Sequence, residues 1–177
     1  DFEYRDMLKS PWYSGLAQGQ GISVLVRAFK ETNLEKYKNA AHQAFQVFSV
    51  PTYDGGVNFI DSNGHNWIEE YIVHPPTHIL NGFMWGVWGV YDFAIQFEND
   101  GALNLFNNYK NTLIQELESY DIGYWSLYEH SGTRLKMIAS SFYHKLHIIQ
   151  LRVMYLLTSE NSFNEMANKW ADYFTNP

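Results

Sequence analysis

The chain has 177 residues, 46% of them hydrophobic, which is the length of one domain and enough apolar material for a packed core. Its formal net charge of −7 argues against non-specific nucleic-acid binding, which needs a basic surface. The absence of cysteine from the sequence excludes disulfides and cysteine-based zinc sites. Aromatic residues make up 18% of the chain. Such a content suits a carbohydrate cleft, where rings stack on sugars, but more often reflects an aromatic-rich core.

The most apolar stretch of the chain is residues 83–97, which is too short for a typical bilayer span and contains Asp92. We therefore expect a buried helix there and no membrane segment in the chain. The first residues lack the apolar core of a signal peptide, and the sequence leaves the localisation unknown.

Helical periodicity predicts three pairs of helices separated by short extended segments. The predicted helices cover residues 16–32, 34–48, 77–97, 102–119, 135–158 and 162–174. Strands are predicted over residues 57–60 and 67–71, which form a hairpin, and over residues 124–128. The third helix is apolar nearly all round, and Gly82, Gly86 and Gly89 predict a close approach of its backbone to a neighbour.

The polar residues that open the inner helices recur at a regular spacing. Gln20, Asn81 and His147 stand 61 and 66 residues apart. A repeat of inner helix, outer helix and hairpin is typical of an α/α toroid, with helix packing outside a closed ring as the alternative. The predicted fold class is therefore mainly all-α, with toroid-like helix pairs forming an incomplete barrel, short β-hairpins and one domain over residues 1–177. Three pairs are few for a closed ring, so we expect a homodimer or a missing N-terminal domain.

Polar residues interrupt each inner helix or its entry loop, where burial without partners would be costly. Because the inner-helix starts of a toroid converge on one rim, we expect these polar residues to line one cleft. Each of them also fits an ordinary helix cap or a hydrogen-bonded core group. The residues predicted to share one cleft are Gln20, Glu70, Asn81, Tyr128, Tyr143 and His147.

Two histidine pairs have spacings that are compatible with metal ligation. They are His144 with His147, and His74 with His78. No HExxH pattern accompanies them, and Pro75 disfavours a helix between the second pair, so we expect no metal. The sequence also lacks a phosphate-binding loop and a Rossmann fingerprint, which disfavours a nucleotide cofactor.

Three ordered motifs stand out: Ala-Gln-Gly-Gln at residues 17–20, Glu-Glu-Tyr at 69–71 with Leu-Asn-Gly-Phe-Met at 80–84, and Tyr-His-x-x-His-Ile-x-Gln-Leu at 143–151. In this order they resemble the C-terminal domain of heparan-type D-glucuronyl C5-epimerases. The resemblance implies an isomerase that inverts C5 of glucuronosyl residues in a uronic-acid polysaccharide, without a cofactor.

The resemblance also implies roles for particular residues. The implied catalytic residues are Glu70, Tyr71, Tyr128 and Tyr143. The substrate-binding candidates are polar residues of the same motifs and their surroundings: Gln18, Gln20, Asn81, Arg134, His144 and His147.

The chain departs from the family pattern after Tyr128. Family members continue with Asp-Leu-Arg-His, whereas Glu129, His130 and Ser131 follow here. The arginine that would hold the substrate carboxylate is missing from its place, and Arg134 or His130 is the expected substitute. Family enzymes also have an N-terminal β-rich region that these 177 residues do not contain.

Inversion at C5 needs one group to remove the proton beside the carboxylate and another to return a proton on the opposite face. We expect Glu70 to act as one, with its pKa raised by desolvation from Tyr71 and Trp67. We expect Tyr143 to act as the other, with its phenolate stabilised by His144, His147 or Arg134.

Two other readings of the same residues stay open. A polysaccharide lyase or glycoside hydrolase would use the same frame, since removal of the C5 proton also begins β-elimination. A non-catalytic relative would only bind glycans. The acidic net charge favours a polymer with little sulfate in either case.

Overall fold

The computed structural model describes residues 2–4, 6–131 and 136–175. This part of the chain has six α-helices and two antiparallel two-stranded sheets, which confirms the prediction of a mainly all-α fold. None of its helices is long and apolar enough to cross a membrane.

The elements follow one another as helix pairs separated by short extended segments. The helices are α1 Gly15–Thr32, α2 Glu35–Phe45, α3 Leu80–Gln96, α4 Asp100–Glu116, α5 Ser141–Thr158 and α6 Asn161–Asp172. The strands are β1 Phe2–Tyr4, β2 Asp6–Leu8, β3 Asn58–Ile60 and β4 Asn66–Ile68. In the predicted hairpin β3 pairs with β4, with Phe59 opposite Trp67. The pairing of β1 with β2 was not predicted from the sequence.

Two predicted helix starts are wrong, and side-chain or backbone hydrogen bonds explain both. The helix predicted over residues 77–97 begins at Leu80, because the N–H groups of Thr77 and His78 bond to a glutamate side chain instead. The helix predicted over residues 135–158 begins after Ser140, whose hydroxyl accepts from Tyr143 N–H. The apolar residues before this cap pair with the segment 126–128 as short bridges.

The chain divides into two compact units. The first comprises Asp1–His78 and Gly82–Thr112, and the second Ile79–Asn81 and Leu113–Pro177. The single domain and the toroid arrangement remain predictions.

In the first unit α1 crosses α3 through glycines. A Cβ on Gly19 would lie 2.6 Å from the Gly86 Cα, and a Cβ on Gly89 would collide with the backbone of Gly19. The close approach predicted for α3 is thus confirmed at two of its glycines. An aromatic core lies alongside, where the Phe83 ring contacts Trp67 and Tyr109 at centroid distances of 5.2 and 6.0 Å.

In the second unit α5 packs against α6 through aromatic and imidazole rings. Trp170 is fully buried, and its indole N–H donates to Asp121 at 3.2 Å. Asp121 also accepts from the Tyr173 hydroxyl at 2.9 Å and pairs with Lys169 at 2.5 Å. These bonds fix α6 against the segment that leads to Tyr128.

Candidate active site

Glu69 is a buried carboxylate whose two oxygens are both used by the fold. Its side chain is 1% exposed, and Oε2 accepts from the backbone N–H groups of Thr77 and His78, each at 3.1 Å. The Thr77 hydroxyl donates to the same oxygen at 3.3 Å, while Oε1 lies 2.5 Å from His78 Nδ1. Glu69 thereby closes the loop that runs from β4 to α3 and is unsuited to proton transfer.

The neighbouring Glu70 is also buried but has a spare oxygen. It is 8% exposed, and its Oε2 is buried without a hydrogen-bond donor among the described residues. Burial raises the pKa of Glu70, and the charge of Glu69 adds to this, while a hydrogen bond with Tyr71 lowers it. The raised pKa is the expected direction, and the hydrogen bond from Tyr71 acts against it. A buried carboxyl of this kind suits a general acid–base role.

Space for the Glu70 carboxylate depends on Gly82 in α3. A Cβ at this position would collide with Glu70 Oε2 and lie within 3.1 Å of the carboxyl carbon. A residue with a side chain would therefore displace the carboxylate.

Tyr71 follows in the loop between β4 and α3 and is half-buried. Its ring lies 5.7 Å from that of Trp12, tilted by 51°. In α1 of the same unit, Gln18 is half-buried and Gln20 is exposed, on either side of the buried Gly19. Contact of these glutamines with a substrate stays a prediction.

In the second unit the structure brings Tyr128 and Tyr143 together. Both are half-buried, and their ring centroids are 4.7 Å apart at an angle of 59°. Tyr143 lies in the first turn of α5, while Tyr128 lies in an extended segment. The N–H of Tyr128 donates to Met137 O at 2.7 Å, and its carbonyl accepts from Leu80 N–H at 3.1 Å.

The predicted substrate-binding residues His144 and His147 are both 0% exposed. His144 stacks on Trp125 with centroids 3.8 Å apart, and its Nε2 lies 3.0 Å from the Trp170 carbonyl oxygen. Burial lowers the pKa of His144, and it lowers the pKa of His147 to about 3. Burial therefore keeps both rings neutral at neutral pH, so either ring would have to stabilise a Tyr143 phenolate through a hydrogen bond and not through a positive charge, and this stays a prediction.

Asn81 opens α3 and is almost fully buried. Its carbonyl accepts from Gln150 Nε2 at 3.0 Å. Asn81 Oδ1, Gln150 Oε1 and His147 Nε2 are buried without a partner among the described residues. Buried polar atoms without a partner among the described residues thus occur on α5 and on the residue that Gln150 contacts.

Arg134 lies outside the described residues, so its role stays a prediction. The alternative cation, His130, is half-buried, with its ring 5.7 Å from Tyr120. A common cleft for the six residues named from the repeat also stays a prediction.

Sequence reasoning missed three residues that shape these surroundings. Glu69 lay inside a recognised motif without an assigned role, and Gly82 was expected only to allow a close backbone approach. The hydrogen bonds of Glu69 and the space that Gly82 leaves for Glu70 are visible only in the structure. Ser126 lay in a predicted strand without any signal, and it contacts both buried histidines.

Comparison with known proteins agrees with the motifs. Residues 1–172 match the model of the D-glucuronyl C5-epimerase C-terminus. The chain is similar to a D-glucuronyl C5-epimerase of Caenorhabditis elegans, with 32% identity over 97% of this chain and 30% of that protein. It is also similar to an uncharacterised protein of Methanocaldococcus jannaschii, with 29% identity over 93% of this chain and 53% of that protein.

The chain thus spans between 30% and 53% of the length of these relatives. Because the family model covers nearly all of its residues, the chain belongs to the family of the D-glucuronyl C5-epimerase C-terminus.

Proposed function

We propose that this chain takes part in inverting C5 of D-glucuronosyl residues in a polysaccharide, converting glucuronosyl to iduronosyl units. Family membership and the name of the worm relative support an epimerase. The observation that carries the chemical assignment is the contrast between two adjacent carboxylates. Glu69 uses both oxygens inside the fold, whereas Glu70 keeps a buried oxygen without a donor among the described residues.

In the proposed reaction Glu70 removes the C5 proton. The C–H bond breaks, its electron pair passes into the adjacent carboxylate to give an enediolate, and the proton moves to the Glu70 carboxylate. Because burial raises the pKa of Glu70, this carboxylate is a stronger base than an exposed one.

Tyr143 supplies the second proton transfer. Its hydroxyl protonates C5 from the opposite face, which restores the carboxylate, inverts the centre and leaves a Tyr143 phenolate. Exchange with solvent then returns a proton to Tyr143 and removes the one on Glu70. Contact with Tyr128 keeps the Tyr143 ring in place, and we assign Tyr128 and Tyr71 to orienting the sugar.

The substrate carboxylate also needs a partner, since a second negative charge beside it would be prohibitive. Because the family's arginine is missing from its place, we assign this to one of its expected substitutes, Arg134 or His130. The buried rings of His144 and His147 are assigned to support of the tyrosines instead of contact with the sugar.

We further propose that α5 is a surface of self-association. Phe142, Ile149 and Leu156 stand seven residues apart along it, and each is between 57% and 78% exposed. Seven-residue spacing places them on one stripe of the helix. Sedimentation of the protein and of Leu156→Lys tests this, and a monomer at all concentrations would remove the proposal.

The chemical assignment is tested by C5 deuterium exchange in D₂O with Glu70→Gln and Tyr143→Phe. Each is expected to fold and to lower exchange by roughly 10²-fold or more, the usual scale for an acid–base group. Exchange at the unmodified rate in either folded variant would remove that residue from the mechanism. An ultraviolet-absorbing unsaturated sugar among the products would instead indicate a lyase.

A further inference from the structure

Ser126 lies at the centre of a buried polar cluster in the second unit. It is 0% exposed, and its backbone N–H donates to His144 Nδ1 at 3.1 Å. Its Oγ lies 2.8 Å from the same nitrogen and 3.0 Å from His147 Nδ1. One serine therefore contacts both buried imidazoles of α5.

These hydrogen bonds determine which nitrogen of each ring carries a hydrogen. His144 Nδ1 accepts from a backbone N–H, so Nε2 carries the hydrogen and donates it to the Trp170 carbonyl at 3.0 Å. The Ser126 hydroxyl, at 2.8 Å, donates to the same His144 Nδ1, and its oxygen accepts from His147 Nδ1–H at 3.0 Å. His147 Nε2, which is buried without a partner among the described residues, then carries no hydrogen. Both rings are then neutral, in agreement with their lowered pKa values.

Ser126 is also linked to both phenols of the second unit. Tyr128 follows it by two residues in a segment whose backbone is fixed by bonds from Tyr128 N–H to Met137 O and from Ala139 N–H to Ser126 O. Tyr143 directly precedes His144, and its ring contacts that of Tyr128 at 4.7 Å. A closed cycle results: hydrogen bonds join Ser126 to His144, the backbone joins His144 to Tyr143, the ring contact joins Tyr143 to Tyr128, and the backbone leads from Tyr128 back to Ser126.

We propose that Ser126 is a positioning residue, which holds the Tyr143 phenol against that of Tyr128 through hydrogen bonds to His144 and His147. The inference rests on the proposed function, in which these phenols serve the chemistry at C5. Proton transfer is sensitive to displacements of about 1 Å, whereas binding of a long polymer is spread over many contacts. Loss of the hydroxyl should therefore lower kcat more than it raises KM.

The kinetic test compares Ser126→Ala with the control Thr158→Val. Thr158 also carries a hydroxyl in the second unit, but it bonds to Met154 O at the far end of α5. We expect Ser126→Ala to lower kcat for C5 exchange about tenfold or more with KM changed less than about threefold, and Thr158→Val to leave both unchanged. Equal kcat in Ser126→Ala and the unmodified protein, or an equal loss in the control, would overturn the proposal.

A second readout does not depend on activity. Nitrogen NMR of ¹⁵N-histidine-labelled protein reports the tautomer of each ring. In the unmodified protein we expect both rings to be neutral, with the hydrogen of His144 on Nε2 and that of His147 on Nδ1, and in Ser126→Ala we expect His147 to lose this preference. An unchanged His147 signal would refute the hydrogen bond itself.

The two readouts separate failure of this inference from failure of the proposed function. If the unmodified protein shows no exchange but Ser126→Ala shows the expected His147 change, the hydrogen bond exists and the epimerase role is wrong. The positioning of catalytic phenols is then wrong as well. If Ser126→Ala does not fold, Ser126→Cys, which keeps a weak donor at the same position, is judged on the same kcat, KM and tautomer criteria, with smaller changes expected.

Discussion

Replacing Gly82 with alanine is expected to displace the Glu70 carboxylate while leaving the protein folded. The new Cβ would collide with Glu70 Oε2. It would also lie 3.0 Å from Glu70 Cβ and 3.1 Å from Cδ, and both distances are shorter than the 3.4 Å at which ordinary van der Waals contact begins. The carboxylate ends a flexible side chain, so it can rotate away at an overpacking cost of about 1–3 kcal/mol. Alanine recovers up to about 1 kcal/mol of this through its higher helix propensity.

A shift of about 1 Å in a proton-transferring group costs about 10²-fold in rate, so Gly82→Ala should lower C5 deuterium exchange by about that factor. Thermal unfolding of the same sample should show a fall in Tm of no more than about 12 °C, since the cost is at most about 3 kcal/mol and 1 kcal/mol corresponds to about 2–4 °C for a chain of this size. The matched control is Gly21→Ala in α1, where an added Cβ meets nothing within 4 Å. Unmodified exchange in Gly82→Ala, or an equal loss in Gly21→Ala, would refute the role of Gly82.

Four further predictions follow from the two units. Glu69→Gln should lower Tm more than Glu70→Gln does, because it disturbs bonds to Thr77 and His78, and thermal unfolding of both variants checks this. Tyr128→Phe should lower exchange less than Tyr143→Phe, and the double variant Glu70→Gln/Tyr143→Phe should be little worse than either single variant, since removal and return of the proton are serial parts of one event. The raised pKa of Glu70 in the free protein predicts that kcat/KM falls on acidification at a pH above the ordinary 4.5 of a glutamate, a limb that Glu70→Gln should remove from the residual pH–rate profile. The pKa of His147 is about 3 in the folded protein and 6.5 in the unfolded chain. Between these values the unfolded chain binds a proton that the folded protein does not, so Tm should decline as pH falls from about 6.5 towards 3. His147→Asn should flatten that decline, and an unchanged slope would show that other groups set the acid stability.

The helical frame was readable from the sequence where apolar periodicity runs between clear end signals. The helix predicted over residues 16–32 is observed as Gly15–Thr32, capped by the Ser14 hydroxyl and ended by Asn33 in a left-handed conformation. The start of α5 was not readable, because Met137, Ile138 and Ala139 continue its apolar pattern although they are extended. Local periodicity does not reveal that the segment 126–128 pairs with them.

The candidate residues were predictable through motif resemblance, but their electrostatic surroundings were not. Adjacent glutamates look alike in sequence, and only the fold shows that Glu69 is fully bonded while Glu70 has a buried oxygen to spare. The same holds for His144 and His147, whose charge state depends on burial. The contacts of Ser126 could not be predicted, because its partners lie 18 and 21 residues further along the chain.

The most direct test of the account is incubation of this chain with an unsulfated glucuronan in D₂O, followed by NMR of the sugar at C5. The account predicts deuterium at C5 and the appearance of iduronosyl units, without an ultraviolet-absorbing unsaturated product. An absence of deuterium at C5 on a polymer that the protein demonstrably binds would contradict it.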